Sequence, residues 1–144
     1  RGTNRAGGVE MIDHLNEIFT LVATRLREEH TPITVTGEYT RQPSKFPTVT
    51  LDEIENVMVE TLEDSSQEER FSALTYRLQV FSNKQSGKKA EARAIFATAD
   101  SMLRSLGFRR ISYSTTPEIY ESTIYSITAT YEAVASVEGT IYKR

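Results

Sequence analysis

The sequence predicts an α+β domain in which two amphipathic helices pack on a mainly antiparallel sheet, in the order helix, strands, helix, strands. Two segments carry apolar residues at helical spacing, several others alternate apolar and polar residues, and most connections are short enough for antiparallel pairing. A length of 144 residues fits one domain, which we place at residues 11–144. Residues 1–10 are polar and glycine-rich, and we expect a disordered tail or a cloning remnant there.

The two helices are predicted from Val9 to Glu29 and from Ser86 to Leu106. We expect Ser86 to cap the second helix. At its other end, Gly107 is suited to the left-handed conformation, with Phe108 folding back on the last turn. The apolar residues of the second helix form one stripe that must be buried: Ala92, Ile95, Phe96, Ala99, Met102, Leu103 and Leu106.

The first strand segments surround a proline-bounded loop. Residues 33–40 predict a strand with a bulge or bend at Gly37, and the two prolines of residues 41–47 predict an extended loop. Thr48 to Val59 is a strand whose apolar parity switches near Asp52 and Glu53, which indicates a bulge or a break between two short strands. Thr61 to Glu69 has the composition of a surface loop or hairpin tip.

The later strands are more regular. Phe71 to Ser82 and Thr123 to Val134 alternate clearly, and Arg109 to Ser114 forms a shorter strand between them. Thr140 to Tyr142 is a short final strand or an arm. The predicted inner faces are Leu74, Tyr76, Leu78 and Val80, and Tyr125, Ile127, Ala129, Tyr131 and Ala133. The Thr- and Ser-rich outer faces are expected to lie in solvent or against another subunit.

The composition excludes several classes of function. No cysteine is present, which excludes disulfides, thiolate metal sites and cysteine nucleophiles. A formal net charge of −3 argues against a general nucleic-acid binder. No apolar run is long enough for a membrane span and no signal pattern begins the chain, so we expect a soluble protein without a membrane partner.

No motif for catalysis or cofactor binding is found. The two histidines, His14 and His30, form no metal motif, and phosphate-binding, dinucleotide-binding and nucleophile-elbow patterns are all missing from the sequence. From Asp52 to Glu69 there are eight acidic residues and no Lys or Arg. This acidic run is a solvated face, or a patch that repels DNA or docks a basic partner. We predict no enzyme, no cofactor and no metal.

A resemblance to a known family rests on the second half of the chain. The run LTYRLQVFSNKQSGKKAEARAIFATADSMLRSLGFRRISYSTTPEIYESTIYSITATYEAVAS resembles the tail terminator and related tail-completion proteins of long-tailed bacteriophages. The shared features are a strand ending in a polar turn, a helix that closes on Leu-Gly-Phe, and a hairpin whose last strand contains Tyr125 and Tyr131. The segments MIDHLNEIFTLVATRL, ITVTGEY and PSKFPTVTL are also consistent, so the resemblance covers most of Met11 to Ser136.

The resemblance implies a virion structural protein that forms a ring, usually hexameric, caps the tail tube and joins it to the head-neck connector. The implied partners are further copies of the chain, the tail tube protein and the connector protein. DNA would pass through an acidic or neutral lumen without specific binding. The implied location is the tail or neck of the virion, after assembly in the host cytoplasm. The alternatives are another neck, connector or minor capsid protein, or a monomeric protein-binding adaptor domain.

Candidate contact residues lie in three loops and at the start of the second helix. Lys88 and Lys89 oppose the helix dipole, so we expect them either to serve assembly or to be plain solvated lysines. The loops, including the turn from Thr115 to Glu121, are contact elements or simple connections. The candidates for contact with another subunit or partner in the loops are Arg41, Lys45, Phe46, Glu63, Asp64, Glu68, Glu69 and Glu118.

Overall fold

The computed structural model describes residues 14–62, 68–115, 123–136 and 141–142. Within these ranges two helices lie on one six-stranded sheet, which confirms the α+β class and the predicted order of elements. The elements are α1 Leu15–Glu29, β1 Thr34–Thr36, β2 Thr48–Leu62, β3 Glu68–Ser82, α2 Lys88–Ser105, β4 Arg109–Thr115, β5 Tyr125–Ser136 and β6 Ile141–Tyr142. The predicted start of the first helix, from Val9, and the tail at residues 1–10 lie outside the described residues.

The sheet has the strand order β1-β2-β3-β5-β4, with β6 beside β5. All neighbouring strands are antiparallel except β1, which runs parallel to β2. The sheet is therefore mainly antiparallel, as predicted, with one parallel pair at β1. The physical reason is the long loop after β1, which returns the chain to the end of the sheet where β1 began.

The core lies between the helix layer and one face of the sheet. The inner faces predicted for β3 and β5 are buried along their whole length, including the large side chains of Tyr76 and Tyr131. The predicted stripe of α2 is also buried or packed against the core. Phe108 contacts Tyr76 with 5.0 Å between aromatic ring centroids. Alternation along a strand with one buried face is thus a sufficient guide to this core.

The sequence predicts the C-terminal end of α2 correctly but not its N-cap. Ser86 is not its N-cap: Gly87 occupies that position in the left-handed region, with φ of 99°, and the helix begins at Lys88. Because the preceding turn requires this positive φ, glycine rather than serine borders the helix. At the other end, Gly107 has φ of 103° and Phe108 donates its backbone N–H to Leu103 at 3.0 Å, which confirms the predicted C-terminal turn.

The first strand is shorter than predicted, because the chain bends at Gly37 and leaves the sheet edge. The following loop then crosses the sheet face opposite the helices, which we call the helix-free face. Gln79 holds it there: its side chain accepts from the Thr40 N–H at 3.4 Å and donates to the Thr40 carbonyl at 3.1 Å. Part of the face expected to meet solvent or another subunit is therefore covered by the chain itself.

Strands β2 and β3 form one long hairpin. The register shifts between Glu53 and Glu55, which confirms a bulge at the predicted parity switch and excludes a break between two strands. Pairing continues to Leu62 opposite Glu68, so of the two alternatives for Thr61 to Glu69 the hairpin is correct, and its strands extend further into this segment than predicted. Cross-strand pairing evidently outweighs the acidic, turn-like composition here. Residues 63–67 lie outside the described residues.

At the C-terminal end of the described chain, Ile141–Tyr142 pairs with β5, so this segment is a short final strand rather than an arm. Among the helices in the described ranges, none combines the length and apolarity that a membrane span requires.

Candidate functional site

The basic candidate residues gather at one end of the molecule. Arg41 and Lys45 lie in the loop that leads into β2, and Lys88 and Lys89 form the first residues of α2. Pro47, at the end of that loop, and Glu91, in the first turn of α2, line the same small cavity of about 230 Å³. The loop and the helix start are therefore neighbours, and we call this region, with its four Lys and Arg residues, the basic end.

Two of the acidic candidates lie at the far end of the hairpin. Glu68 and Glu69 begin β3, opposite Leu62 and Thr61. A strand rises about 3.3 Å per residue, which places them roughly 45 Å from the start of β2 at Thr48. Glu63, Asp64 and Glu118 lie outside the described residues. The structure therefore separates Glu68 and Glu69 from the basic candidates instead of bringing them into one site.

A polar groove of about 340 Å³ lies between β1 and the crossing loop. Lys45 and Glu38 are its charged lining residues, and hydroxyl side chains such as Thr34 supply most of the remainder. Phe46 is half-buried and lies outside this lining. Lys45 supplies its carbonyl to the hydroxyl of Thr48 at 2.6 Å, which ties the loop to the first residue of β2.

One acidic residue of the hairpin is neutralised on the helix-free face. Arg77 donates two hydrogen bonds to Asp52, from Nε at 3.1 Å and from Nη2 at 2.6 Å. The Tyr39 aromatic ring covers the guanidinium at 4.0 Å. The hydrogen bonds to Asp52 raise the pKa of Arg77, against the opposing effect of burial. This cluster fixes the crossing loop to the sheet, and its geometry is that of a structural ion pair.

A second cluster joins the helix layer to β4 and β5. Asp100 of α2 accepts from the Tyr131 hydroxyl at 2.5 Å, from Arg110 Nη1 at 3.2 Å and from Arg104 Nε at 2.9 Å. Burial, and then the hydrogen bond to Asp100, raise the pKa of Tyr131 well above its ordinary value. Arg110 also lies over the aromatic rings of Phe96 and Tyr113. The cluster therefore anchors Arg110 at the sheet edge.

The two outer edges of the sheet carry exposed features that the sequence interpretation did not identify. Four of the six exposed large hydrophobic residues in the described chain lie there: Ile54 and Val57 on β2, and Ile111 and Tyr113 on β4. Arg109 is also exposed on β4, where it forms an ion pair with Glu132. The alternation of each strand is visible in the sequence, but which strands form the edges depends on long-range pairing.

The described residues offer little for chemistry. Within residues 14–62, 68–115, 123–136 and 141–142, no group of three or more His, Asp or Glu side chains could hold a metal ion. The two polar clusters, around Asp52 and around Asp100, are ion pairs whose charged groups are hydrogen-bonded to each other. The candidate sites are therefore surface regions: the basic end, the acidic residues of the β2–β3 hairpin, and the two exposed sheet edges.

The fold defined here is a two-layer α+β arrangement with a long antiparallel hairpin. No protein-family model and no curated protein sequence matches the chain. Among solved structures, it is similar to a chain from the virion of a native gene transfer agent (GTA) particle, with a TM-score of 0.50 and 12% sequence identity. The match covers 81% of this chain and 92% of that chain. The likeness therefore extends over most of both chains at the level of the fold.

Proposed function

We propose that this chain is a structural protein of a phage-like virion that assembles as a ring, a hexamer, at the end of the tail tube. The ring caps the completed tube and joins it to the head-neck connector. The observation that carries the proposal is the fold shared with a chain of the gene transfer agent virion over most of both lengths. The resemblance of residues 74–136 to tail-completion proteins supports the same class independently.

The surface of the described chain suits this role. Glu68 and Glu69 lie at the far end of the β2–β3 hairpin. We assign this end of the hairpin to the lumen, where negative charge repels DNA and lets it pass without being bound. The basic end and the exposed sheet edges supply patches for neighbouring copies, the tube protein and the connector protein. A closed ring is heterologous, so two different patches of each subunit must meet. The role is structural rather than catalytic.

The test begins with the purified chain and with tail tubes and connector rings of the same virus. Light scattering is expected to give a mass near six times the subunit mass of 16.3 kDa, and negative-stain images are expected to show rings. Added tail tubes should carry one ring at one end. DNA should not bind the ring at physiological salt, given the net charge of −3 per chain.

Different outcomes favour the alternatives. A ring that binds connector rings and ignores tail tubes would identify a neck protein instead. Incorporation into the head shell alone would identify a minor capsid protein. A chain that remains monomeric with and without tubes, and binds neither partner, would contradict the ring and leave the adaptor domain.

A further inference from the structure

The sheet has two open edges with opposite charge. β1 pairs with no more than the first three residues of β2, so in the described chain the β2 edge is open from Leu51 onward. β4 pairs with β5 on one side, and no described strand pairs with its other side. Besides Asp52, which is paired with Arg77, the open part of β2 carries Glu53, Glu55 and Glu60, without any basic residue. β4 carries Arg109 and Arg110, without any acidic residue.

Each edge also carries one exposed isoleucine at a bulge. Ile54 is 45% exposed and lies where the β2 register shifts, between Glu53 and Glu55. Ile111 is 46% exposed and lies where the β4 register shifts, between Arg110 and Ser112. Both edges therefore carry an exposed isoleucine beside charged residues. These residues are acidic on β2 and basic on β4.

The register places the charges at the same height across the sheet. Arg109 pairs with Glu132, Glu132 with Thr75, and Thr75 with Glu55, so these four residues form one row. Directly opposed residues share a face, which places Arg109 and Glu55 both on the helix-free face. The row lies beyond the end of β1, whose last residue pairs with Thr50. Tyr113 is level with Leu51, whereas Ser114 is level with Thr50, where β1 occupies the edge, so the part of β4 from Arg109 to Tyr113 is the part that can face open β2.

The strand directions suit a head-to-tail contact between copies. Through three antiparallel pairings, β4 runs opposite to β2. A rotation about an axis along the strands preserves their directions, so β4 of one copy meets β2 of the next as antiparallel neighbours. The pairing uses two different patches, as a closed ring requires.

We propose that, in the ring named under the proposed function on which this inference rests, residues 109–113 of the β4 edge of each copy lie against residues 51–55 of the β2 edge of the next. Arg109 forms an ion pair with Glu55 of the next copy, and Ile111 packs beside Ile54. The partner recognised by each edge is thus a second copy of this chain.

The bulges determine the kind of contact. A bulge interrupts the backbone ladder and commonly protects an edge from indiscriminate pairing. The two edges therefore join through side chains and a few backbone hydrogen bonds rather than through a long ladder. Arg109 can serve both Glu132 in its own copy and Glu55 in the next, because a guanidinium group has five N–H donors.

Cysteine crosslinking tests this geometry directly, since the chain has no native cysteine. Residues 55 and 109 of one copy are three strand spacings apart, about 14 Å at 4.7–4.9 Å per spacing, which is too far for an intramolecular disulfide. We expect a mixture of Glu55→Cys and Arg109→Cys chains to give a disulfide-linked dimer on mild oxidation. Each variant alone should give little disulfide-linked dimer. An exposed ion pair contributes modestly, so its loss should not abolish assembly.

The matched control is a mixture of Glu55→Cys with Arg93→Cys, because Arg93 is an exposed residue of α2 away from both edges. It should crosslink at the collisional background. A second arm compares Glu55→Arg, which sets like charges against each other, with Glu28→Arg on the exposed side of α1. The first should lower the assembled fraction several-fold at low salt, whereas the second should not.

The outcomes separate this inference from the ring itself. The edge contact is overturned, and the ring retained, if the wild type forms rings but the Glu55→Cys and Arg109→Cys mixture crosslinks no more than the control. The same conclusion follows if Glu55→Arg assembles as well as Glu28→Arg. Efficient crosslinking within either single variant overturns the head-to-tail arrangement. A wild-type chain that is monomeric in light scattering, with no crosslink in the mixture, overturns both.

Discussion

Tyr131 and Asp100 are joined by a hydrogen bond of 2.5 Å that links the buried centre of β5 to helix α2. Asp100 also accepts hydrogen bonds from Arg104 and Arg110, so a single carboxylate connects the helix layer with β4 and β5. Tyr131 is fully buried, and its hydroxyl therefore depends on this partner in place of water. The position of Arg110 at the sheet edge follows from the same cluster.

Removing the Tyr131 hydroxyl should destabilise the fold. We expect Tyr131→Phe to lower the free energy of unfolding by about 1–2 kcal/mol, because a hydrogen bond to a charged group is lost in a buried site. Urea unfolding measures the change. Tyr113→Phe, at an exposed tyrosine, is the matched control and should leave the midpoint nearly unchanged. Equal midpoints for the two variants would contradict the role of this hydrogen bond.

The same residue predicts a loss of stability in alkali. Burial and Asp100 raise the pKa of Tyr131 in the folded state, so above the ordinary tyrosine pKa of about 10 the folded chain retains a proton that the unfolded chain has lost. This stabilisation is complete below that pH and is lost as pH rises, at up to about 1.4 kcal/mol per pH unit. Urea midpoints measured from pH 9 to 11 should fall less steeply for Tyr131→Phe than for the wild type. If the urea midpoints of the two proteins fall equally steeply with pH, Tyr131 is not the cause of the loss of stability in alkali.

Local patterns predict the core of this chain well. The alternation of β3 and β5 identifies their buried faces because one side of each strand meets the helix layer, and a one-residue slip would expose the whole set. Gly107 followed by Phe108 identifies the end of α2 because few residues other than glycine adopt the required positive φ. These predictions depend on contacts close in sequence or on a period along one element.

The surface arrangement depends on information that no local pattern contains. The parallel pairing of β1 follows from a loop that Gln79 holds across the sheet, and an amide in an alternating strand gives no sign of such a partner. Likewise, Arg109 and Glu55 share a row because three separate strand pairings are in register. The sequence predicts contact residues in loops and at the start of α2, whereas the open edges are formed by strands.

Helix α2 should depend on Phe96 for its packing. This side chain is 7% exposed and meets Tyr113 in an edge-on contact of 5.2 Å. We expect Phe96→Ala to cost about 3–4 kcal/mol in the free energy of unfolding, through lost burial and the cavity that remains. Leu21→Ala, at an exposed leucine of α1, should cost about 0.5 kcal/mol or less. A Phe96→Ala midpoint close to that of the control would contradict the packing of the helix on the sheet.

Gln79 should control the crossing loop. Gln79→Leu removes both hydrogen bonds to Thr40 and leaves the buried hydroxyl of Thr50 without its acceptor at 2.7 Å. We expect a loss of about 1–3 kcal/mol in stability and faster amide hydrogen exchange at Thr40. The exposed Gln42 gives the control, Gln42→Leu, which should change neither. Unchanged exchange at Thr40 in Gln79→Leu would show that other contacts hold the loop.

Lys88 and Lys89 offer a test that separates assembly from folding. Both lie in the first turn of α2, where positive charge opposes the helix dipole, so replacing both by Glu should raise stability by a few tenths of a kcal/mol or more. If the basic end contacts another subunit or the tail tube, the same double variant should assemble or dock less well, although it is more stable. Thermal unfolding and light scattering with tail tubes measure the two effects. Arg93→Glu, at an exposed position in the second turn of the same helix, controls for the change in charge. Normal ring formation and tube docking by the Lys88→Glu, Lys89→Glu chain would return the two lysines to ordinary solvated residues.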